Sequence, residues 1–379
     1  MKIVTGIAAL LACASLAART PAEDAARAAA IKQAIAALSQ EVQREAGGDW
    51  PRWYEQLRPF RADLLARIEA ARGRQAAFKA DPTHAPSAVI RADDTPPMYE
   101  WPDNAAYLVP ADAASFASTR PSVATFTAVS KWLHGRGIDL VVVPVPRLAE
   151  VYADKVAAGV PPSRIAAPHM RRVLLDLLQG GVEVVDLLPA FLRERDTDPE
   201  PLYLLADGHW SDRGQRIAAR EIGARLKRYV VVKAAIAKPP LFEVSPDRAR
   251  LPGATFSLLT PAEQAEIDAR ISAMPLTMVK TRAGEPFQEP DTSPVLVIGD
   301  SFTHYFQLAV KAGTGIDALL SREINIPVSN VSSAGATTGP VKEFLRRPEL
   351  LQERRVVVWI VTSAIVAYDT LWDLPPLPR

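Results

Sequence analysis

Val295-Leu296-Val297-Ile298-Gly299-Asp300-Ser301 begins with four consecutive aliphatic residues and then stops at a glycine. An uninterrupted run of this length and composition reads as a buried strand. The mostly apolar residues 302–310 follow directly and predict a helix. Ser301 therefore falls on the turn between the carboxyl end of a strand and the first turn of a helix. At such a turn its hydroxyl is exposed at the sheet edge. Its N–H points outward with the other unpaired amides of the helix start, ready to receive an oxyanion. Gly-Asp-Ser alone is a common turn tripeptide, so the chemistry needs a second element.

Asp207-Gly208-His209-Trp210 supplies that element. A neutral hydroxyl is a poor nucleophile. It needs an imidazole to take its proton and a carboxylate to fix the imidazole's tautomer. Gly208 lets the chain bend so that the Asp207 carboxylate reaches the ring two residues on. Ser211 reads as an N-cap, with Asp212 in the first turn of a helix whose apolar positions include Ile217, Ile222 and Leu226. His209 is thus expected on a loop anchored from its C-terminal side, where binding and catalytic residues concentrate. Asp-Gly alone is only a turn signal, and a His-Trp pair can line a core edge. Together with the serine turn they point to covalent acyl chemistry, with Ser301 as nucleophile, His209 as base and Asp207 as orienting carboxylate.

Outward from these blocks the pattern alternates. Residues 126–134 predict a helix, ended by Gly135-Arg136-Gly137, and residues 138–145 a valine-rich strand in which Pro144 is expected to end the pairing. Residues 170–178 predict a helix closed by Gly180-Gly181, 182–186 a strand, and 356–362 another. Such alternation predicts an α/β fold with a mostly parallel sheet and helices on both faces. In these sheets ligands bind at the carboxyl ends of the strands, where Asp186, Ser301 and Thr362 fall. Residues from about 230 to 290, with a helix expected over 261–272, read as an insertion between the two blocks: a flap over the groove, or decoration.

With its Asp-x-His block ahead of its Gly-Asp-Ser block, the chain resembles the SGNH-hydrolase-like domain of the periplasmic alginate O-acetyltransferase family. Ordinary SGNH esterases carry the serine block first and an Asp-x-x-His block last; here the order is reversed. Further similarity lies in residues 140–147, 335–340 and 356–359, so islands of resemblance span roughly residues 95 to 370. The family's last strand continues from its Trp into an acidic and then a basic residue. This chain reads Trp359-Ile360-Val361-Thr362-Ser363, so no role of those charges carries over.

The resemblance implies a three-layer SGNH-like sandwich carrying an N-terminal helical segment. It implies an exported serine acyltransferase that O-acetylates an exopolysaccharide through an acetyl-serine. A membrane-bound acyltransferase would relay the acetyl group, and a polysaccharide would accept it. A carbohydrate acetylesterase using water, and a non-catalytic polysaccharide-binding relative, remain alternatives. The Ser301 amide is one expected oxyanion donor, and the loop ending at Gly339 is expected to supply another. Thr337 and Thr338 are expected to contact sugar. Arg147 either binds a carboxylate or hydroxyl of the glycan or is an ordinary surface arginine, and His304 either lines the site or packs.

Composition agrees with a sizeable folded body. The 379 residues carry 44 Lys and Arg against 43 Asp and Glu, a net charge of +1, so there is no basic footprint for nucleic acid. No histidine spacing suits a metal, and no glycine loop suits a phosphate or a dinucleotide, so no cofactor is expected. Residues 1–18 read as an export signal, which predicts a periplasmic location. The single cysteine, Cys13, follows Leu10-Leu11-Ala12 in a lipobox-like pattern. Cleavage before it would leave a lipid anchor; cleavage after Ala17 or Ala18 would leave no cysteine. Residues 21–80 read as a helical segment with Ile31, Ile35, Leu38 and Val42, then Trp53, Leu57, Leu64, Leu65 and Ile68, at helical spacing. It is expected to pack on the catalytic body, to act as a spacer or to dock a partner. Residues 81–86 read as a linker, and 89–379 as the catalytic domain.

Overall fold

The computed structural model describes residues 20–80, 87–110, 120–333, 335, 337–367 and 371–378. The expected export signal with Cys13, and the expected linker over 81–86, lie outside the described residues. Thr20 caps the first helix, α1 (Pro21–Ala46). Its hydroxyl accepts from the Glu23 N–H while the Glu23 carboxylate accepts from the Thr20 N–H. Gly47, at φ 65°, closes the helix in the left-handed region. Helices α2 (Trp50–Gln56) and α3 (Arg58–Ala80) follow.

These helices lie on the body. Leu38, Val42, Trp53, Leu57, Leu64 and Ile68 are buried in the same apolar core as the central strands, whereas Leu65 is exposed. Helix α1 packs against α5 (Pro168–Gln179). Arg171 of α5, 2% exposed, is held between Glu41 of α1 at 2.5 Å and Asp186 at 2.7 Å. A buried guanidinium is tolerable only with such partners, so this contact fixes where α1 sits.

The body starts with an antiparallel ribbon of β1 (Ile90–Ala92) and β2 (Met98–Glu100). Helix α4 (Pro121–His134) leads into β3 (Asp139–Val145), and α5 into the short β4 (Glu183–Val184). After α6 (Asp212–Leu226) come β5 (Phe242–Ala249), α7 (Pro261–Ile271) and β6 (Met274–Thr281). The chain then runs through β7 (Val295–Gly299), α8 (Ser301–His304), α9 (Ile316–Ile324) and β8 (Ser329–Ser332). It ends with α10 (Gly339–Arg346) and β9 (Val356–Thr362).

Five strands form one parallel sheet in the order β4-β3-β9-β7-β8. The last strand in sequence is the middle one in space, where Trp359 pairs with both Val142 and Ile298. Every residue of β3, β7 and β9 is buried, which is why these segments are aliphatic without alternation. Helix α4 packs with α5, and α6 with α9, forming the helical layers of an α/β sandwich. Among the described residues no helix is long and apolar enough to cross a membrane.

Pro144 does not end β3, contrary to expectation: it pairs in register with Val361. The Val185 N–H bonds to Val142 O at 2.9 Å, so position 142, and with it 144, turns its backbone polar groups toward β4. β4 has ended by then, so the missing N–H of Pro144 breaks no ladder bond.

The insertion is a hairpin, β5 against β6, with α7 between them. It is docked on α6. Thr277 donates its N–H at 2.7 Å and its hydroxyl at 2.9 Å to the buried Asp212 carboxylate. If the N-terminal helices share the body's core, Trp53→Ala should cost about 3–5 kcal/mol. Urea unfolding followed by far-UV circular dichroism should then show one transition at a lower midpoint. An unchanged midpoint, or a separate early transition, would contradict a shared core.

Candidate active site

At the end of β7 a Cβ on Gly299 would collide with the Ile360 carbonyl of β9, so the two strands can close up only over a glycine. Asp300 then caps α8. Its Oδ1 accepts from the Phe302 N–H at 3.0 Å, and its Oδ2 accepts from the Thr362 N–H at 3.1 Å. The carboxyl is almost fully buried. Burial pushes its pKa up, and the two amides offset this only in part. The Thr303 N–H bonds to the Asp300 carbonyl at 3.1 Å. With the Phe302 and Thr303 amides so engaged, the Ser301 amide is left at the first helical position, where no intrahelical acceptor exists.

His209 lies at the tip of a tight loop. Leu204 N–H bonds to His209 O at 3.0 Å, Ser211 N–H to Leu202 O at 2.8 Å, and Tyr99 N–H of the β2 ribbon to Leu205 O at 2.7 Å. Ser211 is the N-cap of α6 as expected, accepting from the Gly214 N–H, and Ile217, Ile222 and Leu226 are buried. Asp207 Oδ1 lies 2.6 Å from His209 Nδ1 and also accepts the His209 N–H at 3.0 Å. Its Oδ2 accepts the Ala254 N–H at 3.1 Å. Burial alone would raise the Asp207 pKa. The bonds from the His209 ring and from the two amides outweigh it and hold the carboxyl below the usual aspartate range. An ionised carboxylate only accepts, so Nδ1 carries the ring proton and Nε2 is the free acceptor. Nε2 lies 2.7 Å from Ser301 Oγ, a contact across 92 residues of chain. The structure thus brings together the three residues chosen from the sequence, in a hydrogen-bonded line at the carboxyl end of the sheet.

The outlying expectations fare differently. Arg147 is buried, not an ordinary surface arginine. It pairs with the buried Glu100, Nε at 2.8 Å and Nη2 at 2.6 Å, because an enclosed guanidinium needs a carboxylate. A Cβ on Gly208 would strike this pair, so the ion pair packs directly against the histidine loop. Thr337 and Thr338 give their hydroxyls to the carbonyls of Leu371 at 2.7 Å and Asp373 at 3.1 Å. They pin the C-terminal tail, and those hydroxyl protons are spent. Gly339 is exposed and opens α10, and among the described residues no hydrogen bond joins it to Ser301 or His209. His304 is half-buried, and burial lowers its pKa. The expected helix over 302–310 is one α turn followed by a π turn, Tyr305–Val310.

Two contributors were not picked from the sequence. Gly253, at φ 81°, lies so close to Ala206 and Asp207 that a Cβ would collide, and this turn is what delivers the Ala254 amide. The Pro252-Gly253 pair was the available signal: it marks a tight turn, though not what the turn touches. Glu100 had no signal, being a lone acid in a three-residue strand. Asp300→Ala would bury two unpaired amides and should cost about 2–4 kcal/mol. Asp300→Asn, which keeps one acceptor oxygen, should cost less. Equal unfolding midpoints for parent and both variants would contradict this capping role.

A family model described as SGNH hydrolase-like domain, acetyltransferase AlgX, matches residues 104–362, more than half of the chain. Among solved structures, the O-acetyltransferase domain of Pseudomonas putida AlgJ is similar at TM-score 0.53 and 19% identity. That match covers 72% of this chain and 91% of the AlgJ domain. Pseudomonas aeruginosa AlgX aligns at TM-score 0.49 and 16% identity, over 67% of this chain and 58% of AlgX. No curated protein matches the sequence. Set beside the parallel sheet and the serine turn, the family match leads to one conclusion: the chain belongs to the SGNH-hydrolase-like acetyltransferase family typified by AlgX.

Proposed function

We propose that this chain is an exported, periplasmic serine O-acetyltransferase that modifies an exopolysaccharide through an acetyl-serine at Ser301. The observation that carries this reading is the line from Asp207 Oδ1 through the His209 ring to Ser301 Oγ, with contacts of 2.6 and 2.7 Å. His209 Nε2 takes the Ser301 proton as Oγ attacks the acetyl carbonyl of the donor. The oxyanion of the tetrahedral intermediate falls to the Ser301 amide. Collapse breaks the bond to the donor's leaving group, which receives the proton from the imidazolium. A sugar hydroxyl then attacks the acetyl-serine, giving its proton to Nε2, and Ser301 leaves with that proton restored. Asp207 keeps the ring in one tautomer and stabilises the imidazolium at both stages. General-base help of this kind is worth about 10²–10⁴-fold, and one oxyanion donor about 10²–10³-fold.

The reading of donor and acceptor draws on membership of the acetyltransferase family. The acetyl group would be relayed by a membrane-bound acyltransferase, and a polysaccharide hydroxyl would receive it. Neither step calls for a metal or a cofactor.

The test is to incubate purified protein with an activated acetyl ester and candidate oligosaccharides, following acetate, acetyl-sugar and the mass of the Ser301 peptide. Acetyl-sugar should form, the peptide should carry one acetyl group, and Ser301→Ala should abolish both. Asp207→Asn should lower kcat on the order of 10³–10⁴-fold, because it favours the wrong tautomer. Acetate release without transfer would make the chain an esterase. No turnover, with parent and Ser301→Ala alike, would leave only polysaccharide binding.

A further inference from the structure

The residue that follows the serine turn lies against the histidine. The Tyr305 ring stacks on the His209 imidazole with centroids 4.7 Å apart and planes 6° from parallel. Phe302 touches the same imidazole only obliquely, at 4.8 Å and 41°. Tyr305 is also the residue at which the helix changes from α to π. Such widened turns recur at functional sites, where they reset the direction of one side chain. Here the reset side chain lies flat on the proposed base.

We infer that Tyr305 is a positioning residue for His209, its ring face holding the imidazole plane and stabilising the imidazolium that forms when Ser301 gives up its proton. The face of a phenol ring is electron-rich and attracts a cation above it. Parallel stacking sets that face against the imidazole, so the attraction grows as the ring becomes charged. The contact is therefore stronger in the charged state than in the resting one, which is what a rate effect requires. Burial pushes the Tyr305 hydroxyl up to about 12, so the phenol stays neutral and does not compete as a base. The other titratable or charged groups around the imidazole are Asp207 from its own loop, Asp300 and His304 from the serine turn, and the Arg147–Glu100 pair beside Gly208. All of them persist when only position 305 is changed.

The kinetic part of this inference rests on the proposed acyl transfer, but its main readout does not. In the full-length chain, proton NMR should show the His209 ring signal shifted upfield by the phenol's ring current, assigned by its loss in His209→Gln. Tyr305→Phe, which keeps the ring face, should keep that shift, the His209 titration midpoint and kcat. Tyr305→Leu should reduce the shift to what Phe302 alone supplies, move the midpoint to lower pH and lower kcat about 3- to 30-fold, with KM little changed. A purely structural role would lower stability and leave the midpoint where it was. The inference is overturned by an unshifted His209 signal in the parent, by an unmoved midpoint in Tyr305→Leu, or by equal damage in Tyr305→Phe. Should Tyr305→Leu not fold, the parent spectrum and Tyr305→Phe still decide. A normal titration result without turnover would instead count against the acyl-transfer reading.

Discussion

The imidazole of His209 must donate from one nitrogen and accept at the other, and only a carboxylate that stays ionised while enclosed can enforce that. Asp207 meets this condition with a backbone N–H on each of its two oxygens besides the imidazole. The imidazole and those amides together outweigh burial, which by itself would favour the neutral acid, able to turn donor and release the tautomer. Much of the surrounding architecture serves to bring them. The loop folds back so that the His209 amide points at Oδ1. The insertion supplies Ala254, its hairpin tethered to α6 through Thr277 and Asp212.

A second constraint acts from the serine side. The turn after β7 can sit where it does only because Gly299 lets β7 and β9 close up, and because Asp300 ties the start of α8 to the end of β9. Ser301 is thus located by the sheet, and His209 by a loop clamped to the β1–β2 ribbon and to the insertion. Arg147 and Glu100 pack against that loop as a buried pair. Such a pair adds little net stability, since desolvation offsets its attraction, but removing one partner would leave a buried charge. Its worth is in holding a shape.

Parts of this were plain in the residues. β3, β7 and β9 were legible because strands covered on both faces must be aliphatic throughout, and α6 because Ser211 and the apolar spacing mark it. β4 was overdrawn: residues 182–186 look like a strand, but the strand is only Glu183–Val184, with one further bond to β3 from the Val185 N–H. Pro144 misled because a proline's cost depends on which neighbour its backbone faces, and sequence does not say which. The partners of Arg147, Thr337 and Thr338 were hidden for a related reason. A polar side chain near a strand end looks like a ligand contact until its partner is known, and here the partners are Glu100 and the carbonyls of the C-terminal tail.

The sequence by itself determined the local chemistry. A serine at a strand-to-helix turn, an Asp-Gly-His bend and a parallel α/β pattern all depend on neighbours a few residues apart, which short-range stereochemistry controls. Only the tertiary structure decided that His209 and Ser301 meet across 92 residues, that β9 threads between β3 and β7, and that Ala254 and Tyr305 complete the surroundings of the ring. Those contacts join segments far apart in the chain. Their energy comes from packing and buried hydrogen bonds, which leave no periodic trace in the order of residues.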